Sequence, residues 1–274
     1  MNLEIVEFSI GYIASALIGV ALGLTGGGGS IVTVPILVYL FRIEPLLATG
    51  YSLFIVGATS LAGSVRSAID GTVHFRKAII FSVPATIAVF LTRHYILPHI
   101  PQVIWTTKAF FVSRDMVMMT LFAVTMFIVS IRMIRKNPNT KSISTGADDR
   151  HAKTTIVGVI VGFLSGIIGA GGGFLIVPAL IEFEKLPIRQ AIATSLVIIA
   201  FNSLVGFLGD LNLGGHIDMS FILTLSTLSI AGVLLGGYLS RFIAGENLKT
   251  GFGWFTMVMA GFVFYKELIV KFIH

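Results

Sequence analysis

Long apolar runs dominate this chain, near residues 8–24, 46–68, 78–97, 114–134, 154–169, 189–208, 219–241 and 248–270. At about 1.5 Å of rise per residue, each is roughly long enough to cross a hydrocarbon core as a helix. Two shorter apolar runs, near 30–41 and 173–183, follow directly on glycine-rich stretches. About a dozen residues are too few to span, so these predict half-helices that return toward the side they came from. The pattern predicts an all-α polytopic membrane protein with eight full spans plus two short re-entrant segments. The longest polar stretch, 135–153, reads as a flexible linker. It separates an N-terminal transmembrane repeat (1–134) from a C-terminal one (154–274).

The halves match each other. At a constant offset of 143, Gly19, Gly23, Gly26, Gly28, Gly29, Val34 and Pro35 fall on Gly162, Gly166, Gly169, Gly171, Gly172, Val177 and Pro178. Ala48, Ser52, Leu53, Ser60, Leu61 and Gly63 fall on Ala191, Ser195, Leu196, Ser203, Leu204 and Gly206, with no gap. Chance alignment of apolar sequence does not keep proline, serine and glycine spacing together, so the chain reads as a duplication.

Composition agrees with the pattern. Charged residues make up 12% of the chain and hydrophobic ones 55%, with a mean hydropathy of +0.94. That is about half the charge of a typical soluble domain. The chain has no cysteine, which excludes disulfides and thiolate metal sites. His94 and His99 flank Pro98 without a nearby carboxylate, so no metal site is expected, nor any cofactor. The net charge of +6 sits in loops, as topology determinants do, and is not read as nucleic-acid binding. The first run has Glu4 and Glu7 and no basic flank, so it reads as retained and not as a cleaved signal.

Charge also orients the halves. Arg132, Arg135, Lys136, Lys141, Arg150 and Lys153 outweigh Asp148 and Asp149, which places the linker in the cytoplasm. The loop with Arg66, Arg76 and Lys77 then lies inside. Its counterpart, with Asp210 and Asp218, lies outside. Equivalent loops of opposite charge are what two inverted repeats require, with both termini outward. Lys266 and Lys271 fit this less well, and four crossings per half would instead give a parallel repeat.

Two motifs carry the candidate chemistry. They are Gly23-Leu-Thr-Gly26-Gly27-Gly28-Gly29-Ser30 and Gly166-Ile-Ile-Gly169-Ala-Gly171-Gly172-Gly173. Unwound backbone inside a membrane is tolerated only where protein or a wet cavity covers it. Each half-helix that follows points unpaired N–H groups back at its break, a natural anion site. Gly27, Gly28, Gly29, Ser30, Gly171, Gly172 and Gly173 are therefore candidate ligands through their backbone. Ser52, Thr59, Thr194, Ser195 and Asn202 are candidates through neutral side chains, although Ser and Thr also back-bond to their own helix. Gly19-xxx-Gly23 and Gly162-xxx-Gly166 serve helix packing. No lysine follows Gly29, so this is no nucleotide loop. Arg93 and His94 close a run and are expected to snorkel to the interface. All thirteen acidic residues lie at segment ends or in loops, which argues against a carboxylate proton relay and for an anionic substrate.

The glycine stretch ending in Val34-Pro35, its copy ending in Val177-Pro178, and the following Ala191-Ile-Ala-Thr-Ser195-Leu resemble the sulfite exporter TauE/SafE family. The resemblance covers nearly the whole chain. It implies a secondary transporter in the cell inner (plasma) membrane for small sulfur-containing anions, such as sulfite or organosulfonates like sulfoacetate. In the first half Thr49-Gly-Tyr-Ser52 stands where Ala-Thr-Ser-Leu is typical, so Tyr51 reshapes one side of the expected site. The lipid bilayer and a small anion are the expected partners, and the oligomeric state is left open. A channel-like anion pore shares the same half-helix geometry. An intramembrane enzyme would need a catalytic pair at depth, and no His or Asp lies mid-run.

Overall fold

The computed structural model describes residues 2–107, 110–135, 147–210 and 217–270. Ten α-helices are found among them. The first half holds α1 (Asn2–Thr25), α2 (Gly28–Pro35), α3 (Pro45–Ile69), α4 (Phe75–Leu91) and α5 (Arg114–Ile134). The second holds α6 (Ala147–Ile168), α7 (Gly173–Glu182), α8 (Ile188–Asp210), α9 (Met219–Leu239) and α10 (Gly245–Phe264). Local chemistry marks several ends. Pro45 opens α3, where its missing N–H costs nothing. Ser113 Oγ accepts from Met116 N–H at the start of α5, and Asp218 Oδ1 accepts from Phe221 N–H at the start of α9. Pro35 ends the regular part of α2, and Ile36–Leu40 continue as a wider π-helical turn.

Among the described residues, five segments are long and apolar enough to cross a membrane: Pro45–Ile69, Phe75–His99, Arg114–Ile134, Ile188–Asp210 and Met219–Phe242. The expected spans at 8–24 and 154–169 are helical, within α1 and α6, and each helix ends just before its glycine break. α6 begins at Ala147, inside the segment read as linker. Residues 147–153 contain neither glycine nor proline, so their polarity did not preclude helix. Residues 136–146 of that linker, and Lys271, lie outside the described residues. One pair of short strands, β1 (Val103–Thr107) and β2 (Phe110–Ser113), forms an antiparallel hairpin before α5. Its β-branched and aromatic residues are strand formers in a stretch too short for a span.

The faces of the helices suit a lipid solvent. Ile79, Val83, Ile87 and Leu91 recur every four residues along α4, and all are between 46% and 59% exposed. A water-soluble protein does not present such a stripe. Inside, glycines bring backbones together. α1 runs parallel to α9, with Gly19 against Ser229 and Gly23 against Gly236. α6 runs parallel to α4, with Gly158 against Phe81, Gly162 against Ala85 and Gly166 against Thr92. α3 and α8 run antiparallel at the centre, since Gly57 meets Leu204, Gly63 meets Leu196 and Gly206 meets Leu53. α5 packs against α10.

Each short helix folds back along the long helix before it. Phe41 packs on Gly11 and stands edge-on to Tyr12 at 6.3 Å. Glu184 accepts a hydrogen bond from Thr154. These two closures, 11 with 41 and 154 with 184, stand at the same offset of 143 as the sequence repeat. Both short helices thus turn back toward the start of the helix before them, at repeat-equivalent positions.

Neighbouring glycines on α9 test this packing. A methyl group on Gly236 collides with the Val20 backbone carbonyl, whereas one on Gly237 meets nothing within 4 Å. Gly236→Ala should lower stability by about 1–3 kcal/mol, the usual cost of overpacking. It should visibly lower the melting temperature in detergent, and Gly237→Ala should leave it unchanged.

Candidate functional site

The two glycine breaks meet in the interior. Gly27 lies against the Gly173 backbone, close enough that a methyl group on Gly27 collides with the Gly173 carbonyl. Gly26, Gly169, Gly171 and Gly172 have φ between +63° and +71°. This left-handed backbone is what lets α1 and α6 stop and reverse, and it favours glycine. The copies differ in one detail: α2 starts at Gly28, but α7 starts only at Gly173, after two left-handed residues.

The structure brings most of the candidate ligands to this junction. Ser30 Oγ donates to the Gly27 carbonyl at 2.7 Å and sits beside Gly173. Ser195 Oγ donates to Ile192 O at 2.8 Å and lies 3.0 Å from Gly26 O. Gly171 faces Ser203, and Gly172 faces Ser165. Gly29 is turned away, toward Ile18 and Leu22. Thr59 Oγ1 back-bonds to Ile55 O at 2.6 Å. Thr194 Oγ1 accepts from the His74 backbone N–H at 3.1 Å, at the end of the α3–α4 loop. Asn202 Oδ1 accepts from Thr86 Oγ1 at 2.6 Å. The hydroxyls of Ser52, Ser60, Ser165 and Ser203 and the Asn202 amide nitrogen are buried and reach no protein partner among the described residues. A buried donor left without a partner costs about 1–3 kcal/mol. Five of them in one interior is a polar surface suited to a small polar guest.

Two cavities approach the junction from opposite ends of α3 and α8. The larger, about 480 Å³, is lined by Gly23, Gly63, Arg66, Ser67, Asp70, Arg189, Ile192, Ala193, Leu196, Val233, Gly237 and Arg241, among others. Ile192 stands between it and Gly26. Three guanidinium groups face one carboxylate there. Arg241 pairs with Asp70 at 2.6 Å, and Arg189 donates to the Arg241 carbonyl at 3.4 Å. The smaller cavity, about 140 Å³, is lined by Glu44, Leu46, Leu47, Gly50, Tyr51, Phe207, Asp210 and Ile217. None of the twelve candidate ligands lines either cavity. Ser52, Thr59 and Asn202 fall between the two.

Arg93 does not snorkel. It is fully buried, pairs with Asp210 at 2.7 Å, and presses its second terminal nitrogen against Gly169 of the second break. The helix continues past it as π and 3-10 turns to His99, so Arg93 lies inside the span and not at its edge. The apolar Tyr95-Ile96-Leu97 beyond it was the sequence signal for this. Asp210, Glu184 and Glu267 are likewise buried, although they stand at segment ends. Glu184 pairs with Lys77 at 3.3 Å, and Glu267 accepts from Tyr39 at 2.9 Å. Arg66, Arg189 and Arg241 come together only through the fold, which is why sequence spacing did not find them.

Comparison with known proteins gives one consistent answer. The family model described as Sulfite exporter TauE/SafE matches residues 12–263. A probable membrane transporter protein of Xylella fastidiosa is 30% identical over 97% of this chain and 98% of its own length. The probable membrane transporter protein YunE of Bacillus subtilis is 27% identical over 86% of this chain and 88% of its own. A probable membrane transporter protein of Haemophilus influenzae is 26% identical over 93% and 97%. No solved structure matches.

The second break offers a test of the junction. At Gly171 an added methyl group meets both an unfavourable φ of +63° and the Ser203 hydroxyl. Gly171→Ala should lower the melting temperature. Adding Ser203→Ala should restore part of the loss, leaving the left-handed strain of about 1–2 kcal/mol. A double variant no more stable than the single one would show that Ser203 does not press on the break.

Proposed function

Because the chain belongs to the sulfite exporter TauE/SafE family and is a multi-pass membrane protein, we propose that it is a secondary transporter of small sulfur-containing anions. Sulfite and organosulfonates such as sulfoacetate are the substrate class, and the cell inner (plasma) membrane is the site of action. The halves act as inverted repeats that rock about the junction of the two breaks. The antiparallel crossing of repeat-equivalent α3 and α8, and the head-to-head meeting of Gly27 and Gly173, support this reading.

The observation that carries the proposal is the pair of cavities on opposite sides of one closed polar junction. The larger opens at the end that carries Arg66, Lys77, Arg132, Lys153, Arg189 and Arg241. An excess of basic residues marks a cytoplasmic face, so the conformation is inward-open. The arginines draw anions into that cavity. Neutral hydroxyls, the Asn202 amide and the N–H groups at the breaks then hold the anion without binding it too tightly to release. The contact of Gly27 with Gly173 closes the path between the cavities, which favours a carrier over an open pore.

Counterflow in proteoliposomes tests the reading. Vesicles preloaded with unlabelled sulfite should accumulate labelled sulfite faster than empty ones, and sulfoacetate outside should compete. Equal initial rates in loaded and empty vesicles would indicate a channel. Absence of flux for every sulfur oxoanion tried would overturn the substrate class.

A further inference from the structure

The two cavities differ in charge in a patterned way. The offset of 143 that relates α3 to α8 places Ser67 on Asp210 and Arg66 on Gly209. Contacts relate α4 to α9 at an offset of 144. Gly206 meets Val89 where Gly63 meets Val233, Gly162 meets Ala85 where Gly19 meets Ser229, and Gly166 meets Thr92 where Gly23 meets Gly236. That offset places Arg93 on Gly237. Each route therefore has one arginine and one glycine at these two positions, with the roles exchanged. In the open cavity α3 supplies Arg66 and α9 supplies Gly237, and both line the wall. On the closed side α4 supplies Arg93 and α8 supplies Gly209, where an added methyl group would lie 3.0 Å from Arg93 Cβ.

We propose that Arg66 and Arg93 are the anion-binding arginines of the two access routes, and that the Asp210 carboxylate occupies Arg93 in place of the transported anion while its route is closed. The proposal rests on the reading of the protein as an anion carrier and adds the residues that meet the anion on each side.

The bonding of Arg93 is that of a ligand temporarily substituted. Its guanidinium can donate five hydrogen bonds. It makes one to Asp210, and among the described residues its Nε and Nη2 have no partner, nor does Asp210 Oδ1. Burying two charges is repaid only when the remaining donors and lone pairs are also satisfied. A pair so poorly bonded is a weak structural fastener. A tetrahedral or pyramidal oxoanion offers several oxygens in the forked geometry a guanidinium prefers. The small cavity reaches this pair, since Asp210 lines it and Oδ2 lies 3.0 Å from a methyl placed on Gly50. In the open route the counterpart of Asp210 is the neutral Ser67. The Arg66 guanidinium accordingly has no ion-pair or hydrogen-bond partner among the described residues, and the residue is exposed.

The chain has no cysteine, so single reporters can be introduced without a background. Ser67→Cys reports on the open cavity and Leu47→Cys on the closed one. The probes are the anionic sulfonatoethyl and the cationic trimethylammonioethyl methanethiosulfonates, applied to protein in nanodiscs where both faces are reachable. Ser67→Cys should react on the order of tenfold faster with the anion, and Arg66→Gln should remove that preference. Leu47→Cys should react slowly with both. Asp210→Asn should raise its reaction with the anionic probe selectively, and adding Arg93→Gln should make the two probes equal. Arg93→Met with Asp210→Leu replaces the pair by apolar groups of similar size and guards against misfolding. It should melt normally and show no anionic preference. An anionic preference that survives Arg93→Gln, or that never emerges in folded Asp210→Asn, overturns the proposal. Labelling reads the charge beside each thiol and needs no transport cycle. Loss of counterflow with the labelling pattern intact would therefore remove the transport reading and leave the arginine assignment standing.

Discussion

An interrupted helix inside a bilayer has backbone N–H and C=O groups that lipid cannot satisfy, and this constraint organises the whole molecule. The chain meets it by burying one interruption against the other. Gly27 of the first half touches Gly173 of the second, and no side chain larger than hydrogen fits between them. Each break also reverses its chain, so α2 lies back along α1 and α7 along α6. The long antiparallel pair α3 and α8 then walls the junction, with Ser195 bonded to one break and Ser203 pressed on the other. The glycine seams of α1 with α9 and α6 with α4 bring the outer helices close enough to keep lipid from that interior.

The same constraint explains what was legible in the sequence. Apolar runs, glycine breaks and the offset of 143 are all consequences of backbone position, and backbone position is written locally. The hairpin closures at Phe41 and Glu184 follow that offset to the residue. The candidate hydroxyls of α3 and α8 lie in the interior near the breaks for the same reason. Two kinds of feature were not legible. Polarity alone does not end a helix, so residues 147–153 read as linker although α6 begins at Ala147. The partners of charged side chains depend on helix packing. Arg93 reads as the polar end of an apolar run until α8 supplies Asp210 beside it. Arg66, Arg189 and Arg241 are 123 and 52 residues apart in sequence and share one cavity only through α3, α8 and α9.

Where the halves agree and where they differ is itself informative. Residues that shape backbone are repeated: the glycines of the breaks, Val-Pro after each, and the serines that face them. The charges that face the two access routes are not. Arg66 has glycine as its repeat partner, Arg93 has glycine, and Asp210 has serine. A duplicated carrier with identical charge in both routes would have two end states of nearly equal energy. An ion pair present in only one route breaks that degeneracy. A bias of about 1.4 kcal/mol already gives a tenfold preference for one state, within reach of a single buried pair. In this conformation the route with the Arg93–Asp210 pair holds the smaller cavity, about 140 Å³, and the route without it the larger, about 480 Å³. The pair thus supplies the asymmetry that the repeated backbone lacks. On the proposed reading as an anion carrier, an anion that displaces Asp210 from Arg93 would remove that bias.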